Sequence, residues 1–311
     1  MNIRGAAEPI VDQHVFLIGR PPITDFLTYI RNLAIDARQR DEGLFVAEWR
    51  AANDRVLELE KTEGGLADHP PIEPLPLEMH SLEQEILADP AVRQAFRMLP
   101  FRLAMVELDR MVVFQKHINL MYVDEIRRRL PDRDLTPEEL FRLCIPLEVH
   151  TTPVQVAQTA PNSYTFVSPS RDFRYHEPVL LDPSQVSGYD RMGPITAFLG
   201  IVVGFGSNYL NAMHVENRLI LTNGSHRAYA LRERGVTHVP FIIQTVSRRD
   251  ELEFLGADEV RHHPDRYLGT PRPPLLKDYF DDRLRKILRV ARKHRMVTLS
   301  FAVDVSDIPA S

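Results

Sequence analysis

Arg218-Leu219-Ile220-Leu221-Thr222-Asn223-Gly224-Ser225-His226-Arg227-Ala228-Tyr229-Ala230-Leu231 runs on through Gly235 to Val239-Pro240-Phe241-Ile242-Ile243-Gln244. Leu219 to Thr222 is short, apolar and β-branched, the composition of a buried strand, and Asn223-Gly224 breaks it. Ser225 to Arg234 reads as a helix, with Ala228, Ala230 and Leu231 available for packing and Gly235 as its stop. Val239 to Val246 reads as a second strand. A strand, a glycine turn and a helix bring backbone N–H groups to one point, where the helix dipole adds roughly half a positive charge. Gly224 removes the side chain that would hold an anion away. Ser225 and His226 can donate hydrogen bonds, and Arg227 is a planar bidentate fork. Asn223 to Arg227 is therefore the candidate phosphate site. The plainer alternative is an ordinary strand-to-helix turn with a solvent-facing arginine.

Working outward, the first third is helical in character. Helical spacing of apolar residues spans Thr24–Gln39 and Leu44–Glu60, and Ser81–Phe96 makes a third helix. Gly64-Gly65 and Pro70, Pro71, Pro74 and Pro76 make a linker near residues 64–78. From residue 103 the character changes. Leu103–Phe114 is rich in β-formers, Val123–Leu130 is helical, and Thr136-Pro137-Glu138-Glu139 starts another short helix. Ser163–Val167 and Pro178–Leu181 are further strands. Lys277–Arg295 has the spacing of an amphipathic helix, with Tyr279, Phe280, Leu284, Ile287, Leu288 and Ala291 as its stripe and a basic opposite face. The expected class is α+β with three parts: a helical region over 1–100, an α/β-type core over 101–250, and a helical extension with a terminal strand over 251–311.

With 44% hydrophobic and 26% charged residues in 311, the chain is globular. A net charge of −5 argues against a mainly nucleic-acid-binding role, which needs clustered Lys and Arg. Cys144 is the only cysteine, so no internal disulfide forms, and its apolar neighbours make it a packing residue. Met1–Gly19 lacks a signal-peptide pattern. Ile195–Phe205, broken by Gly200 and Gly204, falls far short of the roughly 20 residues of a spanning helix. The expectation is a soluble, cytoplasmic protein without membrane contact.

Asn223-Gly224-Ser225-His226-Arg227-Ala228-Tyr229-Ala230-Leu231, with Gly235 and Val239-Pro240, resembles the nucleotide-binding box of the ParB/sulfiredoxin superfamily. Gly224, His226 and Arg227 match the Gly-Cys-His-Arg box of sulfiredoxins, and Leu181-Asp182-Pro183 with Val186 resembles the segment upstream. The resemblance covers residues 178–246, extends weakly to Leu108-Asp109-Arg110-Met111, and leaves everything before residue 100 uncovered. It implies a mixed sheet with helices that binds ATP, ADP or CTP, with Mg²⁺ carried by the nucleotide and phosphates at the start of the helix. The functions it implies are phosphotransfer to a small hydroxyl or protein acceptor, or NTP hydrolysis. A non-catalytic nucleotide-responsive regulator and a nucleic-acid-binding ParB-like protein are the alternatives. Ser225 stands where sulfiredoxins carry the catalytic cysteine and ParB boxes an acid, which removes both labels from that position.

By analogy with free-serine kinases of that superfamily, Glu107 or Asp109 is a candidate base, with His226 as a further catalytic group. Lys116 and His117 are candidate phosphate contacts. A solvated strand end is the bland reading of each. Arg171 and Arg174 in a polar loop could clamp an anion, with surface ion pairs as the commoner use. Gly204-Phe205-Gly206-Ser207-Asn208 lacks the Walker lysine and is read as flexible. His262, His263 and Asp265 match no zinc spacing, so no metal site is assigned.

Overall fold

The structure, a computed structural model, describes residues 9–35, 41–147, 152–190, 193–255 and 258–309. In chain order the elements are β1 (Val11–Leu17), α1 (Ile23–Leu33), α2 (Glu42–Glu63), β2 (Ile72–Glu73), α3 (His80–Ala88), α4 (Pro90–Ala95), β3 (Phe101–Glu107), β4 (Val112–Val113), β5 (His117–Asn119), α5 (Leu120–Arg129) and α6 (Pro137–Cys144). There follow β6 (Gln155–Ala160), β7 (Ser163–Ser168), β8 (Phe173–Leu181), β9 (Phe198–Phe205), β10 (Asn211–Val215), β11 (Arg218–Asn223), α7 (Ser225–Glu233), β12 (His238–Val246), α8 (Asp258–His262), β13 (Arg285–Ala291) and β14 (Arg295–Ser300). Helices and mixed sheets together make the chain α+β. It divides into two compact units, Met1–Glu148 with Asn208–Arg292, and Val149–Ser207 with Lys293–Ser311.

The first unit is built on a six-stranded sheet of order β2-β3-β12-β10-β11-β4. β10 and β12 are parallel, joined through β11 and α7, while β3 pairs antiparallel with β12 and β11 with β10. Side chains alternate across a strand. Leu219 and Leu221 accordingly enter one core with Ala212, Ile243, Phe141 and the apolar side of α7. Ile220 enters another with Met213, Val215, Val260 and Tyr267. The near-continuous apolar run of β11 thus reflects burial on both faces, as the sequence of Leu219–Thr222 suggested.

A second, three-stranded antiparallel sheet, β13-β1-β5, lies in the same unit. Phe16, Phe26, Phe45, Val56, Leu288 and Val290 join β1, α1, α2 and β13 in a third core. Here the structure corrects the sequence reading. The N-terminal region is not purely helical, because β1 precedes α1. The helix expected over 277–295 is instead a short 3-10 turn at Leu276–Phe280 followed by strand β13, then β14. Leu284 and Leu288 are buried as a helical stripe would require, but Val290 is buried and Ile287 is 53% exposed, the alternation of a strand. Seven-residue pairing with β1, from Val11↔Ala291 to Leu17↔Arg285, outweighs the local helical spacing.

The proline segment also has a defined place. Ile72 pairs with Val106 at the sheet edge, where prolines are tolerated, and Leu75 is buried. The first helix stops at Leu33 because Ala34 bridges Val290 and the Ile35 N–H donates to the Arg289 carbonyl. The positions 36–39 assigned to that helix lie outside the described residues. Leu103–Phe114 resolves into β3, a turn and β4, and Ser81–Phe96 into α3 and α4. The helix start at Thr136 is a reciprocal capping box with Glu139.

The second unit consists of a three-stranded antiparallel sheet, β14-β7-β6, and a β8–β9 ribbon. Arg174 pairs with Asp172, whose other oxygen accepts the Gly206 N–H at 2.8 Å, so Arg174 serves an ion pair within the unit. No described helix is long and apolar enough to cross a membrane.

The strand assignment of β13 makes a direct prediction. Val290→Ala should cost about 2 kcal/mol of stability, whereas Ile287→Ala should cost less than about 0.5 kcal/mol. Denaturant unfolding of the two variants checks this, and the reverse order would restore the helix.

Candidate functional site at the start of α7

Gly224 sits at φ +91°, a left-handed conformation that glycine adopts without strain. A Cβ there would lie 2.4 Å from Leu210 Cδ1, so the position is closed to other residues on two grounds. The Asn223 Oδ1 accepts the Gly224 N–H at 2.8 Å and fixes the turn. The Arg227 and Ala228 amides turn back to the Gly224 carbonyl, both at 2.9 Å. The Ser225 and His226 amides precede the first carbonyl the helix can offer. Gly224, at the N-cap position, has no side chain with which to cap the helix.

His226 projects from this end of α7 toward β5. Its Nε2 accepts the Asn119 backbone N–H at 3.0 Å, and its ring meets Tyr122 edge-on at 5.4 Å. With Nε2 an acceptor, the neutral ring carries its proton on Nδ1 and can donate from there. Asn119 extends the arrangement: its Oδ1 caps α5 through the Met121 N–H, and its Nδ2 donates to Asp12 at 3.1 Å. Asp12 also accepts from Arg292 Nε and Nη2 at 2.9 and 2.7 Å. Burial raises the Asp12 pKa, but the Arg292 and Asn119 hydrogen bonds and the Arg292 charge outweigh it and hold the carboxyl below its ordinary value. His117 stacks on the buried His14 at 4.8 Å, beside Tyr29.

Arg227 has a task other than the phosphate contact assigned to it. Its side chain is buried, with Nη1 donating to the Leu143 and Cys144 carbonyls at 2.8 and 2.9 Å. Nη2 donates to the Asn208 carbonyl and Oδ1 at 3.0 and 2.8 Å. Leu143 and Cys144 end α6, where carbonyls lack helical partners and the dipole is negative, so the guanidinium caps that helix. Desolvation lowers the Arg227 pKa, and burial pushes the neighbouring Cys144 thiol up to about 12, which keeps it inert.

The carboxylates are also placed elsewhere. Glu107 pairs with Arg110 at 2.8 Å. Asp109 forms a bidentate pair with Arg232, at 3.0 and 3.1 Å, near the carboxyl end of α7. Seven residues of helix put Arg232 about 10 Å along the axis from Ser225. Neither acid therefore meets the helix start. Lys116 binds Asp25 at 2.8 Å and Glu259 at 3.4 Å. The structure thus brings Asn223, Gly224, Ser225 and His226 together, with Asn119, Tyr122 and His117 nearby. It leaves Lys116, Glu107, Asp109 and Arg227 apart from them.

Sequence reasoning missed the Asp12–Asn119–Arg292 link and the buried Arg272, held by Asp278 and Glu63. Asp12 lies far along the chain from Asn119 and Arg292, as Glu63 does from Arg272, and the six-residue spacing of Arg272 and Asp278 matches no motif. The basic residues expected to line one helical face are dispersed: Arg283 pairs with Glu58, Arg285 with Asp282, Lys286 with Glu48 and Arg292 with Asp12. His262 Nδ1 lies 2.8 Å from the Asp258 carbonyl, a donor's position. No protein-family model, curated protein or solved structure matches the chain.

Two outcomes follow. Arg227→Ala should destabilise the fold by about 3 kcal/mol, since it strips acceptors at the end of α6 that water cannot reach; a loss below about 1 kcal/mol in chemical denaturation would contradict the capping role. Asp12, depressed below its ordinary 3.8, contributes stability that is fully present above that pH and lost as pH falls through its folded value. At pH 7 Arg292→Met should cost about 1 kcal/mol, Arg292 being partly exposed, and the two stability curves should converge in acid.

Proposed function

We propose that the protein binds a nucleotide, ATP, ADP or CTP with its Mg²⁺, through phosphate oxygens at the amino end of α7. The observation that carries this reading is a helix start behind a left-handed glycine, which has no side chain to stand before the first-turn amides of Ser225 and His226. Backbone N–H groups and the dipole favour an anion there without a cationic side chain. The ParB/sulfiredoxin-like box, from Asn223 to Leu231, supports the same location.

Of the two consequences weighed for such a site, response without catalysis is favoured over phosphoryl transfer. Transfer to a hydroxyl calls for a base within hydrogen-bond reach of the acceptor. Glu107 and Asp109 are committed to Arg110 and Arg232, and the latter pair lies at the other end of the helix. A nucleic-acid role draws no support from Arg283, Arg285, Lys286 and Arg292, which are paired with carboxylates.

Calorimetry with ATP, ADP and CTP plus Mg²⁺ should find one nucleotide that binds and is recovered unchanged after incubation. His226→Gln, which keeps an acceptor for the Asn119 amide, should weaken that binding about three- to tenfold, the worth of one hydrogen bond. Absence of heat with all three nucleotides would remove the reading; a released or transferred phosphate would restore the enzyme.

A further inference from the structure

The second unit has little core of its own. Among its described residues Phe173 is the one buried apolar side chain. On the β8–β9 ribbon apolar groups stand in water instead, Leu199 being 72% and Ile201 40% exposed. A two-stranded ribbon is marginally stable by itself, and its open edges offer N–H and C=O groups to a further strand.

The two edges of the ribbon differ. β8 carries Arg174, His176, Glu177 and Pro178, the charges and proline that keep a strand edge from being extended. β9, Phe198-Leu199-Gly200-Ile201-Val202-Val203-Gly204-Phe205, has no polar side chain over its eight residues and, among the described residues, pairs with β8 alone. Strand β6, at an edge of the other sheet in this unit, is also uncharged, but Gln155, Gln158 and Thr159 keep it hydrated.

Charge and side-chain size select the strand that fits this edge. A charged peptide would find no counter-charge along β9. A second β9 brings no charge, and a two-fold axis sets it antiparallel to the first, with the residue at the axis facing its own counterpart. With the axis at Ile201, Leu199 lies opposite Val203, Val202 opposite Gly200, and Phe198 opposite Gly204. One face then carries an unbroken row of branched aliphatic pairs, which stabilise sheets. On the other face each larger residue meets a glycine. Moving the axis to Val202 would set Gly200 against Gly204 and lose that match. We infer that β9 pairs with β9 of a second copy of the chain, with the axis at Ile201, to make one four-stranded sheet β8-β9-β9-β8.

The test is sedimentation equilibrium of the full chain from about 1 to 100 µM, where the wild type should reach twice the chain mass. Ile201→Lys sets two ammonium groups across the axis and Ile201→Glu two carboxylates, so each should weaken the dimer at least about tenfold. Mixed in equal amounts, the two variants should dimerise again, which requires position 201 to face itself. Should either variant fail to fold, Ile201→Cys under mild oxidation reads the same contact, the native Cys144 being buried. It should give a disulfide-linked dimer, whereas Leu180→Cys, on the guarded strand, should not. A monomer at every concentration would overturn the inference and leave the edge to a different partner. A dimer that Ile201→Lys leaves intact, mixed variants that stay monomeric, or equal cross-linking of Leu180→Cys would each overturn it too.

Discussion

Arg227 holds the first unit together at the point where its pieces meet. A buried guanidinium is tolerated only when its donors are met. Here four acceptors do so, drawn from the end of α6 and from Asn208 before β10. The Leu210 N–H completes the junction by donating to the Cys144 carbonyl at 2.8 Å. Leu210 then lies against Gly224, leaving no room for a Cβ. The glycine and the arginine of the box are therefore two halves of one packing arrangement, which seats α7 on α6 and sets the direction in which its amino end points.

That arrangement divides the labour along a short helix. Ser225, Arg227, Ala228, Tyr229, Ala230 and Leu231 are all buried, and Tyr229 stacks on Phe280 at 4.6 Å. Arg232 is fixed by Asp109 and lies over the Phe280 ring. In the first turn Ser225 is buried with them, and His226 is partly exposed, its ring directed to Asn119 and Tyr122. A phosphate site here depends on N–H groups and the dipole, so its affinity would vary less with ionic strength than that of a site built from exposed arginines.

The elements around this turn were legible in the sequence because each carried a local cause. Leu219-Ile220-Leu221, Gly224, Gly235 and the Thr136–Glu139 box determine structure over a few residues. The geometry of the turn was legible for the same reason, but the role of Arg227 was not. A box read as sequence presents arginine as a ligand group; only the position of the α6 carbonyls, more than 80 residues upstream, turns it inward. The region 285–291 failed in a similar way. Leu284 and Leu288 satisfy a helical period, and the strand is chosen by β1 at the far end of the chain, a partner no local window contains. Pairings such as Asp12 with Arg292 lie beyond any motif for the same reason.

The three-residue strand β5 connects these observations. Successive residues of a strand face opposite ways. Lys116, just before it, pairs with Asp25 and Glu259; His117 stacks on His14, and the Asn119 backbone N–H donates to His226. The backbone between them is held on both sides: Leu17 N–H donates to the Lys116 carbonyl at 2.9 Å, and Tyr279 donates its hydroxyl to the Gln115 carbonyl. A one-residue slip would exchange the two faces of the strand and take His117 off the buried His14. Register is thus fixed by the polar partners of alternate residues as much as by the apolar Ile118 between them, which is fully buried. The His117–His14 stack, the buried Ile118 and the Asn119–His226 hydrogen bond at the sheet edge all depend on that register.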